Sequence, residues 1–294
     1  MNVSLTYIFM GLLLIQSGAS SVSANEPEWP TDLSKASMNT LMIHVQQYGN
    51  TPGRKQRRAA ANTEVIARGT NALHYLMARC HIENMAVRMM ADQLVRVHLE
   101  DDDVATVLLR YIDDPQEKIQ KTAVFFLGFC ETPEHSARVL PLLTNEAASG
   151  AAMRTLGKWS CSNAVPGIVL QMHHEKERRR ILAVNALGEI GDIRSVPFLV
   201  DALDDDIFTV RKAAREALAG FGATVLGELT DVLPDQAPVA QREIISLLRE
   251  GGYGAALQAL SNLVEQAKSP SVAADARAAF EQLESAAEES GDGR

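Results

Sequence analysis

The chain has little of what builds sheets, disulfide frameworks or familiar active sites. Aromatic residues make up 5% of its 294 positions, and only three cysteines occur, Cys80, Cys130 and Cys161. Their spacings of 50 and 31 residues are not those of a zinc-binding pair. No stretch of alternating, β-branched character is long enough for a strand. The nucleophile elbow GxSxG is absent, as are the phosphate loops GxGxxG and GxxxxGK followed by Ser or Thr. Positive charge is in short supply too, with a net charge of −9. Phosphate contacts need clustered cations, so nucleic acid is a poor partner class. Long apolar runs are also missing. The one clear run, Leu5–Ile15, spans 11 residues, and a membrane-spanning helix needs about 20.

What is present points to a folded, all-helical protein. Apolar residues reach 46% and charged ones 22%, with Ala and Leu abundant. The N-terminal run is followed by small and polar residues ending in Val22-Ser23-Ala24, the pattern of an export signal cleaved before Asn25. No Lys or Arg precedes the run, the one departure from that pattern. The expected organisation is a signal peptide over 1–24, an extended leader over 25–35 and capping helices over 36–100. Repeats follow over 101–284, then a disordered tail over 285–294. The expected location is periplasmic or extracellular, with no stable membrane insertion once the signal is removed.

The repeat is the strongest signal. Leu127, Leu156, Leu187, Leu218 and Leu248 follow one another at 29, 31, 31 and 30 residues. Four positions earlier stand Ala123, Ala152, Ala183, Ala214 and Ile244, and Gly follows the Leu at 128, 157 and 188. A fixed period in this range means stacked units, each too small to bury its own apolar face. A second helix opens at Val165-Pro166 and again at Val196-Pro197, where proline costs little. Acidic turns separate the helices. Asp204-Asp205-Asp206 and Asp101-Asp102-Asp103 are read as helix caps, because neither run has the spread ligands and central glycine of a calcium loop. Arg180 and Arg211, each seven before the aligned Leu, are expected to pair with acidic turn residues.

The segments VRKAAREALAGFG at 210–222 and ILAVNALGEIGDIRSVPFLVDALDDD at 181–206 resemble HEAT-like repeats of the phycobilin-lyase type. The resemblance implies an all-α superhelix, a HEAT-like solenoid of stacked antiparallel helix pairs, with the VRxxAxxAL-type helix lining its concave side. It does not imply lyase activity, because function is carried by sites and not by folds. Deoxyhypusine hydroxylase is built from similar repeats and holds iron through several His-Glu pairs. This chain has one, His174-Glu175, preceded by His173, and these histidines are read as exposed residues at a helix end.

Two constellations follow from the register. Cys130 and Cys161 each come just after a Leu-Gly helix end, on one edge of the stack, which raises a disulfide between them; two buried thiols are the alternative. Two positions before the aligned Leu stand Phe125, Arg154, Asn185, Glu216 and Ser246. Four of the five are polar, so the column is read as solvent-facing and partner-binding. Phe125 is then either an interaction anchor or part of an apolar run packed under the N-terminal helices. The basic run Arg54–Arg58 is either an anion patch or the solvated flank of a helix start. The expected function is a non-catalytic exported scaffold that binds a protein or peptide on its concave face, with no catalytic, metal or cofactor residues assigned. The alternative is a metal- or tetrapyrrole-associated enzyme or chaperone on the same repeats.

Overall fold

The computed structural model describes residues 29–46, 52–80, 85–251 and 256–291, all helix, turn or irregular chain among those residues. The signal over 1–24 lies outside them, as does the start of the leader over 25–28. Among the described residues no helix is long and apolar enough to cross a membrane.

The chain divides into two compact units at Ala67 and Arg68. In the first unit, helices α1 (Met38–Gln46) and α2 (Pro52–Ala67) bury Leu41, Met42, Ala61 and Val65. Part of the expected extended leader is a 3-10 turn, Leu33–Lys35, because Asp32 accepts a hydrogen bond from Ser34 N and pairs with Lys35 at 3.1 Å. Trp29 meets the ring of buried His44 edge-on at 4.9 Å. The run 54–58 lies in the first turns of α2 and is mostly exposed, with Arg57 facing the Trp29 ring at 5.7 Å.

The second unit opens with α3 (Gly69–Met77), α4 (Met85–Gln93) and α5 (Asp101–Leu108). The stack continues as α6 (Glu117–Leu127), α7 (Ser136–Val139), α8 (Ser149–Lys158), α9 (Val165–Val169) and α10 (Glu177–Ile190). It closes with α11 (Val196–Asp201), α12 (Phe208–Gly220), α13 (Leu226–Val232), α14 (Pro238–Glu250), α15 (Leu257–Gln266) and α16 (Pro270–Gly291). Helices α6, α8, α10, α12 and α14 form one row, each packed on the next. The shorter α7, α9, α11 and α13 form the other, each continued by 3-10 turns such as Ser162–Ala164 and Leu170–His173 around α9. Proline at the first turn sets the start of α9 and α11, where the missing N–H has no helical acceptor to lose.

The aligned leucines and the small residues four before them form the core ladder: all ten are 0% exposed. A helix brings i and i+4 onto one face, so this spacing points one stripe of every first-row helix inward. Glycine after the Leu lets the row close up. A Cβ at Gly188 would stand 2.7 Å from Ala217 Cβ, and one at Gly128 would stand 3.2 Å from Thr155 Cα. The Thr155 hydroxyl uses that proximity to donate to the Val124 carbonyl at 2.7 Å.

Arg180 pairs with an acidic turn residue as expected, whereas among the described residues Arg211 bonds only backbone carbonyls of its turn and faces Glu243 on α14 at 3.9 Å. Arg180 forks onto both carboxylate oxygens of Asp205 at 2.7 and 2.9 Å, and also donates to the carbonyls of His174 and Glu175. Arg211 repeats the carbonyl clamp on Asp205 and Asp206, six and five residues back. Neither acidic run supplies the helix cap read from it: Asp205 accepts from Ile207 N at 2.9 Å, a turn bond just before α12, whose cap residue is Ile207, and Asp101 accepts from Glu131 N one unit further on. At the C-terminus α16 continues past Ser285 to Gly291, since Ala- and Glu-rich sequence favours helix.

Candidate functional site

The first-row helices bury their aligned Leu, so the residues two before and two after it share the opposite, solvent side; they are i and i+4 neighbours. The first column is the one read from the sequence. Phe125, Arg154 and Ser246 are half-buried there, and Asn185 and Glu216 are exposed. The second column, two after the Leu, is Phe129, Lys158, Glu189, Gly220 and Glu250. Its residues are of mixed type, so the sequence does not mark it as a column; the i+4 rule applied to the Leu register locates it. One more unit also belongs to the register. Leu94 is 0% and Met90 3% exposed, which places Asp92 and Arg96 in the same two columns. The 33-residue step to Leu127 hides this unit from a strict 30-residue search.

The two columns touch from helix to helix at the α4–α10 end. Arg96, just past α4, lies over the Phe129 ring at 3.5 Å from its centroid, and the Lys158 ammonium lies 3.9 Å from the same centroid. Phe125 meets Phe129 edge-on at 5.1 Å. Arg96 is paired with Asp92 at 2.6 Å. Glu189 reaches back over Gly157, where a Cβ would come within 2.6 Å of its Oε2. The absent side chain is what lets this carboxylate lie on α8 beside Lys158.

The electrostatics are those of a crowded groove. Burial first, then the nearby Arg96 and Arg154, push the Lys158 pKa down, with Glu189 opposing. Burial pushes the Glu189 pKa up, against the pull of Lys158 and Arg154. Both side chains nevertheless remain open to solvent. Among the described residues neither Lys158 nor Arg154 has an ion-pair partner. Phe125 is therefore neither fully exposed nor buried: Phe126 carries the packing, at 4% exposed, and Phe125 and Phe129 form the half-open aromatic floor.

The columns change character at the far end. Ser246 and Arg215 both bond Glu250, at 2.8 and 2.7 Å, and Arg215 also faces Glu243 at 3.6 Å. Glu216 pairs with Lys212 on its own helix at 3.6 Å. Ser246 and Glu216 thus sit in the expected column but are engaged within the protein.

Of the two readings for Cys130 and Cys161, the bridge is not made: all three cysteines are free, with Cys80 and Cys130 buried and Cys161 half-buried. Cys130 is buried with its Sγ turned back toward the Phe126 carbonyl at 3.8 Å, and its own carbonyl accepts from Trp159 Nε1 at 2.7 Å. Equivalent edges of stacked helices stand about 10 Å apart, beyond the roughly 7 Å that a disulfide spans. Burial pushes the Cys130 thiol up to about 12 and Cys80 to about 11, which keeps both protonated and unreactive.

His174 also departs from expectation. Its side chain is only 20% exposed, Nδ1 accepts from Lys176 N at 3.0 Å, and Nε2 faces Glu146 at 3.8 Å. It belongs to a turn network in which Glu146 also holds Lys176 and Arg179. His173 stays exposed. Among the described residues no three His, Cys, Asp or Glu side chains gather as metal ligands. On the second row, Val165, Pro166, Val169, Arg194 and Phe198 line an open apolar recess. Its one charged group, Arg194, is forked onto Asp192 at 2.6 Å, so no free polar group converges there.

The family model for HEAT repeats matches residues 139–219. Over that stretch the chain is built of HEAT-like repeats. No curated protein matches it. Among solved structures it is similar to the YibA protein of Escherichia coli, at 16% identity and a TM-score of 0.46, covering 85% of this chain and 94% of that one. It is also similar to the complex of CpcE and CpcF of phycocyanin lyase from Nostoc, at 14% identity and a TM-score of 0.40, with 90% and 99% covered. Human deoxyhypusine hydroxylase shows 13% identity and a TM-score of 0.32, with 84% and 96% covered.

Proposed function

We propose that this HEAT-like protein is an exported, non-catalytic scaffold that holds a protein or peptide segment along the exposed face of its first helix row. The carrying observation is the pair of solvent-facing columns over a fully buried Leu/Ala ladder, with the half-open Phe125 and Phe129 rings among cations at one end. A row of helices at regular spacing offers an extended partner repeated contacts, and aromatic side chains supply anchoring area. The N-terminal run Leu5–Ile15 with its small-residue site supports export.

Photo-cross-linking tests the reading. A photoreactive residue at exposed Asn185 should capture a discrete partner from extract of the compartment where the protein resides, and Phe125→Ala should reduce that capture. The same group at exposed Thr224, on the other row, should not. Equal capture from both positions would count against a groove on this face. Sequencing the N-terminus of the mature protein tests export: a start at Asn25 is expected, and an intact Met1 would refute cleavage.

A further inference from the structure

We propose that the Phe125–Phe129–Arg154–Lys158 segment of this face takes an acidic side chain of an extended peptide, with the neighbouring apolar side chain of that peptide lying on Phe125. This rests on the groove reading above and specifies its ligand.

The first observation is charge. In a chain of net charge −9, two cations, Arg96 and Lys158, share one aromatic ring, and a third, Arg154, is close enough to act on Lys158. Arg96 has Asp92, but among the described residues neither Arg154 nor Lys158 has an ion-pair partner. The repeat does not force this, because further along the same row Arg215 is held by Glu243 and Glu250. Arg96 and Lys158 both lie within 4 Å of the Phe129 centroid, so like charges crowd each other in a partly desolvated place. The downward displacement of the Lys158 pKa, by burial first and then by Arg96 and Arg154 against the opposing Glu189, agrees with that crowding. An arriving carboxylate would relieve the repulsion and supply the missing hydrogen-bond acceptor.

The second observation selects the kind of anion. Asp92, Glu189 and Glu216 flank the cations along the two columns. A polyanion laid along the row would meet these acids on both sides, whereas a single carboxylate at Arg154 and Lys158 meets Glu189 alone. The third is the adjoining aromatic floor: Phe125, edge-on to Phe129 and half-exposed, offers an apolar surface next to the cations. Acidic and apolar side chains side by side match these two neighbours.

The test is selection from a random dodecapeptide display library on the full protein, with Arg154→Glu/Lys158→Glu as the comparison. Wild-type protein should enrich peptides carrying Asp or Glu beside an aromatic or aliphatic residue, and the charge-reversed protein should lose them. For one selected peptide, exchanging its acidic residue for the amide should weaken binding about tenfold, the size expected for losing a charged hydrogen bond. That peptide should also cross-link to a photoreactive group at Asn185. The peptide exchange uses only wild-type protein, so it decides the matter even if the doubly reversed variant misfolds. Selected peptides without acidic enrichment, an amide exchange costing less than about twofold, or failure to label at Asn185 would each overturn the ligand assignment alone. No selected peptide at all would overturn the groove reading with it.

Discussion

At the α4–α10 end of the first row, Arg96 and Lys158 share the Phe129 ring, and Arg154 and Lys158 have no ion-pair partner among the described residues. At the α12–α14 end, Arg215 reaches Glu243 and Glu250, Ser246 bonds Glu250, and Arg211 faces Glu243 at 3.9 Å. The buried ladder beneath is of one kind in both, Leu over Met, Ala or Ile, at 3% exposure or less. One packing solution therefore supports two surfaces: one satisfied within the chain, the other with cations that have no ion-pair partner among the described residues. The repeat fixes which positions face solvent, and the residue at each position decides whether that surface is closed or available.

The most disruptive way to break the comparison is to force the two ends apart. Gly188 sits between them, and Gly188→Val should lower stability by about 3 kcal/mol, because the added carbons meet Ala217 Cβ and its backbone and not a flexible side chain. Urea denaturation measures this, and an unchanged midpoint would show that the row has room to give. Next, Arg215→Ala should cost about 1 kcal/mol by leaving Glu243 and Glu250 facing each other. The same change should leave binding of a selected acidic peptide untouched. Lys158→Ala should do the reverse: a stability change within about 0.5 kcal/mol, with peptide affinity falling about tenfold.

The smallest effect is expected at Glu189, and its sign can be worked out. Burial raises its pKa in the folded chain, so folding favours the protonated form. The stability it contributes is present below that raised pKa and lost as pH rises through it. Glu189→Gln should therefore melt slightly higher at neutral pH, by about 0.3 kcal/mol after allowing for solvent screening, and equal wild type in acid. Peptide binding should follow the same two groups. It tightens as pH falls toward the raised Glu189 pKa, and weakens in alkali at a lower pH than an ordinary lysine would give, because the Lys158 pKa is depressed. A titration flat across both windows would remove these groups from the site.

The fold was largely legible in the chain. The Leu spacing, the small residue four before it and the proline after Val165 and Val196 sufficed, because burial of a helix stripe follows directly from 3.6-residue periodicity. The Arg180 and Asp205 clamp was legible for a similar reason: a charge at a fixed offset from a turn has few partners. The first column, including Phe125 and Arg154, could also be read. The second column followed from the same geometry but needed a second offset. Cys130 could not be resolved this way, since a shared edge says nothing about the direction of a thiol that points back to Phe126. Nor could His174, whose neighbour Glu146 lies a full unit away.

Local order in the chain was enough to specify helices, their buried stripe and their stacking, since those depend on spacing along one helix. The meeting of Arg96, Phe129, Lys158 and Glu189 was decided only in three dimensions. These residues come from four helical segments about 30 residues apart. Whether their side chains touch depends on how closely glycines 128, 157 and 188 allow the helices to approach, a distance that no pattern within a single helix contains.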